Sequence, residues 1–220
     1  MGATAIIGIL WLAFAATHML LSSVRLRPRL ISVLGERPYQ GLYSAVALLL
    51  FVPLVWVYFA NKHAGPELWY VGGAAAVRWL GMIGMGVAFV LAVGGLVRPS
   101  PASLAPGSTE IAGALRITRH PLFMGLGLMG LMHLLMAPMH ASDLAFFGGF
   151  PVFALIGCRH QDLRKLHSAG EKLQRFYAEM PFLPFSRRGG ARGVTEMPVA
   201  LVVGIALAVL IRSFHDTLFG

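Results

Sequence analysis

Six long stretches of this chain carry almost no charge, and they decide what it can fold into. They run from Thr4 to Ser22, Gly41 to Ala60, Val77 to Val97, Pro121 to Pro138, Leu144 to Cys158 and about Val194 to Ile211. Each approaches the ~20 residues that a helix needs to cross a hydrocarbon core. Inside lipid every backbone amide must find its partner within the segment, so stretches of this kind become helices. With 57% hydrophobic and 12% charged residues and a mean hydropathy of +0.72, the chain holds more apolar surface than an ordinary soluble core buries. The expected fold is all-α, a polytopic membrane bundle of about six transmembrane helices forming one domain over residues 1–220. The fifth and sixth spans read as the short ones, and Gly148, Gly149 and Pro151 interrupt the fifth.

A net charge of +9 and a pI near 10.6 would suit a nucleic-acid partner if the basic residues formed a patch. Instead they sort by side. Fifteen of the 18 Lys and Arg residues follow spans one, three and five, and three lie on the other side. That asymmetry holds basic loops in the cytoplasm, so the expected location is a bacterial inner membrane with both termini outside. Topology and anionic headgroups account for the basicity, which makes membrane lipids the expected partners and nucleic acid an unexpected one. No basic residue precedes the first span, which reads as a retained helix rather than a signal peptide. The single cysteine, Cys158, excludes an intramolecular disulfide and a cysteine-rich metal cluster.

Beyond the fifth span, Gln161 to Met180 sets Leu163, Leu166, Leu173, Phe176, Tyr177 and Met180 on one side. Arg164, Lys165, Lys172 and Arg175 stand among the remainder. This predicts an interfacial amphipathic helix on the cytoplasmic surface. Ser186 to Gly193 follows as a flexible linker that carries no chemistry, and the two together make up a cytoplasmic segment over 161–193.

Within the third span Gly84, Ala88, Ala92 and Gly95 share a face at helical spacing, which predicts a seam where another backbone approaches closely. In the fourth, Gly125, Met129, His133 and Ala137 follow one another at i, i+4, with Gly130 one turn before the histidine. Such a stripe serves either close helix contact or a slot for a flat ligand. His133 and His18 lie inside uncharged runs, and an imidazole at that depth is bonded to a neighbouring helix or holds something. His120 ends a polar loop, Arg116-Ile117-Thr118-Arg119-His120, and Pro121 opens the next helix at its first position. Arg116, Arg119 and His120 could form an anion-binding corner there, or the arginines could snorkel into headgroups. His63, His140 and His215 fall at outer span ends, and His160 and His167 in the basic stretch. All five read as solvated or interfacial rings.

Three separated motifs resemble the NnrU family of bacterial membrane proteins. They are Thr17-His18-Met-Leu-Leu-Ser-Ser23, Leu34-Gly-Glu-Arg-Pro-Tyr-Gln-Gly-Leu-Tyr-Ser44, and Arg116 to Pro121 followed by His133. The resemblance implies a link to denitrification and nitric-oxide metabolism. It also implies kinship with zeta-carotene isomerase, an integral membrane enzyme that uses haem b. On that basis His18 and His133 are the expected metal ligands, with Arg116 and Arg119 near the haem propionates and His120 the candidate catalytic residue. A hydrophobic or small gaseous ligand would follow, and a cis–trans isomerase of polyenes is the implied enzyme.

Bis-histidine ligation requires matched depth. His133 stands about 18 Å along its helix from Pro121, which suits His18 only if the first helix continues to about Arg27. Otherwise His18 and His120 make the better pair. A more distant similarity links Arg119 to Gly125 and Gly170 to Pro184 with isoprenylcysteine carboxyl methyltransferases. Arg159-His160-Gln161-Asp162 stands where that group has paired glutamates. The alternatives are therefore a membrane methyltransferase acting on a lipid or prenylated acceptor, and a non-catalytic membrane subunit.

Overall fold

A computed structural model describes residues 2–101, 110–167 and 170–219. Its elements run α1 (Ala3–Leu21), α2 (Leu26–Leu34), α3 (Glu36–Ala60), β1 (Glu67–Trp69), α4 (Ala75–Val97), α5 (Ala114–Ile117), α6 (Pro121–Met136), β2 (Met139–His140), α7 (Ala141–Leu166), α8 (Glu171–Glu179), α9 (Gly190–Thr195) and α10 (Pro198–Phe219). The protein is an all-α membrane bundle. Among the described residues, α1, α3, α4, α7 and α10 are long and apolar enough to cross a membrane, and α6 is a shorter apolar helix.

The short span is therefore the fourth, not the fifth or sixth. Pro121 fixes the start of α6, and Ala137, forced to extended geometry ahead of Pro138, ends it. In contrast, α7 runs straight through Pro151. A proline cannot donate to the carbonyl four residues back, so the Phe147 carbonyl loses that rung. It faces α6 instead, where a Cβ on Gly130 would stand 2.6 Å from it. With no Gly or Pro between Arg159 and Leu166, nothing stops the helix at Cys158, and α7 carries its polar end out to Leu166.

Two packing units meet along α6 and α7. On one side α1, α3 and α7 enclose Ile7, Trp11, Phe14, Leu54, Tyr58 and Phe146. Tyr58 stacks flat on Phe146 at 4.0 Å, and the Trp11 indole donates to the Phe146 carbonyl at 3.1 Å. On the other side the expected seam on α4 is real. Met132 occupies the space beside Gly84, Leu122 lies against Gly95, and a Cβ on Gly125 would meet the Ala88 carbonyl at 2.6 Å. Backbones that close give dispersion contact where lipid offers no hydrophobic drive. The Gly125 stripe thus serves helix contact. Val90 and Leu91 of α4 then pack with Ala114, Ile117, Met197 and Ala200, bringing in α5 and α10.

Two expectations for the basic face change. The 161–180 segment divides between the end of α7 and α8, and Ser168 and Ala169 lie outside the described residues. Phe176, Tyr177 and Met180 of the α8 region are buried against Leu115. The Ser186–Gly193 linker is exposed up to Gly189, and from Gly190 it forms α9 and packs. A Cβ on Gly193 would stand 2.6 Å from the Gly113 carbonyl. Glu196, just past α9, accepts from the Gly113 amide at 3.0 Å, from Arg116 Nε at 2.7 Å and from Arg192 Nε at 2.8 Å.

Candidate functional site

His18 occupies the last turn of α1, which stops at Leu21 because Ser22 caps it, donating Oγ to the His18 carbonyl at 2.6 Å. The imidazole is held among rings, with centroids 4.4 Å from Phe14, 4.7 Å from Tyr43 and 5.5 Å from Phe153. It opens onto a small cleft of about 60 Å³ whose lining also includes Ser22, Tyr43, Gly157, His160 and Arg164. The extension of α7 past Cys158 is what brings His160 and Arg164 there, one turn apart on a single face.

Two polar atoms of that lining are buried and unpartnered. They are His160 Nε2 and Arg164 Nε. The His160 ring lies beside the backbone of Met19 on α1. Leaving a buried donor or acceptor unsatisfied costs about 1–3 kcal/mol, so two of them one turn apart mark a place built to receive another group. His160 is a half-buried, interfacial ring whose Nε2 is turned inward. It forms a two-histidine cleft with His18.

One helix face away, α7 supports a polar knot around Asp162. Asp162 is completely buried. Its Oδ1 lies 2.7 Å from His120 Nε2, and its Oδ2 accepts from Arg119 Nε at 2.9 Å and from Nη2 at 2.7 Å. Arg119 also donates to the Met180 carbonyl at 2.9 Å, and its guanidinium lies over the rings of Tyr177 and Phe182 at 5.3 and 5.1 Å. Burial and the Asp162 carboxylate push the Tyr177 phenol above its ordinary pKa, so it stays protonated. The knot ties the start of α6 and the segment after α8 onto α7.

These placements alter the expected site. Arg119 and His120 are both committed to Asp162, and Arg116 to Glu196, so the anion-binding corner is filled by the protein's own carboxylates. His120 is 3% exposed and does not line the cleft. His133 lies in the last turn of α6, stacked on Phe147 at 4.2 Å, with Nδ1 2.9 Å from the Met129 carbonyl. His18 touches α7 at Phe153, six residues further along. The first helix ends at Leu21 instead of reaching Arg27, so His18 and His133 meet α7 at levels six residues, about 9 Å, apart. They are not brought together, nor are His18 and His120.

Sequence reasoning missed His160, Asp162 and Arg164. Their signal was present. Cys158, Asp162 and Lys165 follow one helical face, and His160 with Arg164 another, but that pattern shows only when the helix is allowed past Cys158.

Comparison with known proteins gives a consistent picture. The chain is 28% identical over 191 residues to the chloroplastic 15-cis-zeta-carotene isomerase of Zea mays, an alignment covering 81% of this chain and 49% of that protein. The chain thus spans about half the length of the curated relative it matches. No solved structure matches it. The family model described as NnrU protein matches residues 6–220, and the chain belongs to the NnrU family.

Proposed function

We propose that this membrane protein binds haem b in the cleft between α1 and α7, with His18 and His160 as the iron ligands. The observation that carries the reading is the pair of buried, unpartnered atoms there. His160 Nε2 offers a lone pair to a metal, while Arg164 Nε offers a proton to a carboxylate such as a haem propionate. The donor types suit such a group, two imidazoles and a guanidinium, and a porphyrin would have to widen the cleft of about 60 Å³. A backbone contact from Met19 orients the His160 ring, which is how ligating imidazoles are commonly fixed. Phe153 and Tyr43 give the cleft apolar walls, and Gly157 leaves room on its α7 face.

Bound haem would supply exchangeable coordination at iron, able to take nitric oxide or to act on a polyene double bond. This chain's own residues bind and orient. His18 and His160 would hold the iron, Arg164 would pair with a carboxylate of the group, and Phe14, Tyr43 and Phe153 pack around the His18 ring. An apolar polyene is the substrate class that the isomerase relative suggests, and the excess of Lys and Arg on the face that carries the cleft supports reading that face as the cytoplasmic side of a bacterial inner membrane. The methyl-transfer alternative loses its groups, because Asp162 already holds Arg119 and His120.

The visible spectrum of detergent-purified protein tests this. A Soret band is expected in the wild type, lost or shifted in both His18→Ala and His160→Ala, and retained in His133→Ala. A wild type that takes up no haem, or histidine variants of the cleft with an unchanged band, would overturn the assignment.

A further inference from the structure

The end of α7 opposite the cleft gathers three metal-binding side chains that the haem reading leaves unused. His63 follows α3, His140 ends β2, and Asp143 lies in the first turn of α7. His63 Nδ1 stands 2.9 Å from Asp143 Oδ2, and His140 Nδ1 stands 3.5 Å from the same oxygen. One ligand atom from each residue lies within 4.8 Å of the other two. Around a tetrahedral zinc with bonds of about 2.0–2.1 Å, neighbouring donors stand roughly 3.3 Å apart. The two measured edges straddle that value.

The surroundings hold these donors in place. Asp143 is 1% exposed, and its Oδ1 accepts from the Tyr58 hydroxyl at 3.1 Å and from the His63 amide at 3.3 Å. The His140 amide donates to Oδ2 at 3.0 Å. Partners of this kind orient a ligating carboxylate. Pairing of Glu67 with His140 between β1 and β2 fixes the second histidine, and the Ala64 amide bonded to Ser142 Oγ at 2.9 Å fastens the turn that carries the first. His63 itself has φ +56°, a left-handed conformation that a non-glycine residue keeps only when its surroundings impose it. A capping box at the start of α7 accounts for Asp143 and His140. It gives no reason for the His63 ring to turn onto the same oxygen.

The geometry points to a divalent transition-metal site at His63, His140 and Asp143, with zinc the best-suited ion and a fourth position open to solvent. Two imidazoles and one carboxylate are the donor set that zinc accepts with a water or exogenous ligand completing the tetrahedron. The His63 side chain is 54% exposed, which leaves the metal an entry path. Bound metal would clamp the α3–β1 turn to the start of α7. The assignment is independent of haem.

Calorimetric titration of zinc into full-length, tag-free protein in detergent, stripped with chelator and dialysed, tests it. One equivalent of zinc per chain is expected, with affinity reduced about tenfold or more in His63→Ala and in His140→Ala. The wild-type Tm should rise with zinc while that of both variants stays still. A His18→Ala/His160→Ala variant should bind zinc as the wild type does, even though it forfeits the Soret band. If His140→Ala fails to fold, the exposed His63→Ala carries the test alone. Absence of saturable zinc binding by folded wild type, or binding that survives His63→Ala or vanishes with the cleft histidines, overturns the site.

Discussion

Replacing Asp162 by Asn isolates the energetics of the knot that joins α6 and α8 to α7. The amide keeps the volume and one acceptor but removes the negative charge facing Arg119 and His120, whose side chains are 12% and 2% exposed. Breaking a buried ion pair from one side costs about 3–5 kcal/mol, because the remaining charge stays desolvated without compensation. At roughly 2–4 °C per kcal/mol for a chain of this size, Tm should fall by about 6–20 °C. Thermal unfolding in detergent followed by circular dichroism measures it. Arg119→Met combined with Asp162→Asn should lose less than the two single variants together, with a coupling of about 1–3 kcal/mol. A single variant that melts within about 2 °C of the wild type, or strictly additive losses, would refute the view that charge compensation holds this corner.

Gly125→Ala should lower Tm by several degrees, since its Cβ would lie 2.6 Å from the Ala88 carbonyl and 2.9 Å from the Ala92 amide; Gly86→Ala, which meets nothing within 4 Å, should be neutral or stabilising by up to about 1 kcal/mol in the same melt. Trp11→Ala empties the aromatic core and removes the bond to Phe146, so a loss of about 3–5 kcal/mol is expected in thermal unfolding. Glu196, hydrogen-bonded by Arg116 and the Gly113 amide, has its carboxyl pulled down to about 2 from 4.5. Its contribution is complete above pH 4.5 and disappears as pH falls through 2. Hydrogen exchange over residues 190–195 should therefore accelerate across that window in the wild type, and already be fast at neutral pH in Glu196→Gln.

The bundle and the α4–α6 seam were readable because both rest on local rules: apolar length sets a span, and small residues at helical spacing set a close face. The site was harder, because it depends on where helices stop. Gly148, Gly149 and Pro151 signal a break, but Gly149 admits the Trp11 ring and Pro151 frees a carbonyl that Gly130 accommodates, so α7 continues. That continuation converts Arg159 to Leu166 from a solvated tail into the wall bearing His160, Asp162 and Arg164. His18 and His133 looked alike as isolated polar rings in apolar runs. Only the stop at Ser22 and the antiparallel course of α6 put them at different depths. The carboxylate partners of His120 and Arg116, namely Asp162 and Glu196, come from 42 and 80 residues away, a separation over which periodicity carries no information.

The buried carboxylates Asp143 and Asp162 anchor α7 near its two ends. Nineteen residues separate them, about 28 Å along a helix axis, close to the ~30 Å of a bilayer's hydrocarbon. Each is tied to other elements, Asp143 to Tyr58 and His63 and Asp162 to Arg119 and His120. A strut riveted at both rims can neither slide nor lean freely to suit a thicker or thinner membrane. Mismatch must then be absorbed by the surrounding lipid, which will thin or swell around this protein rather than tilt its central helix.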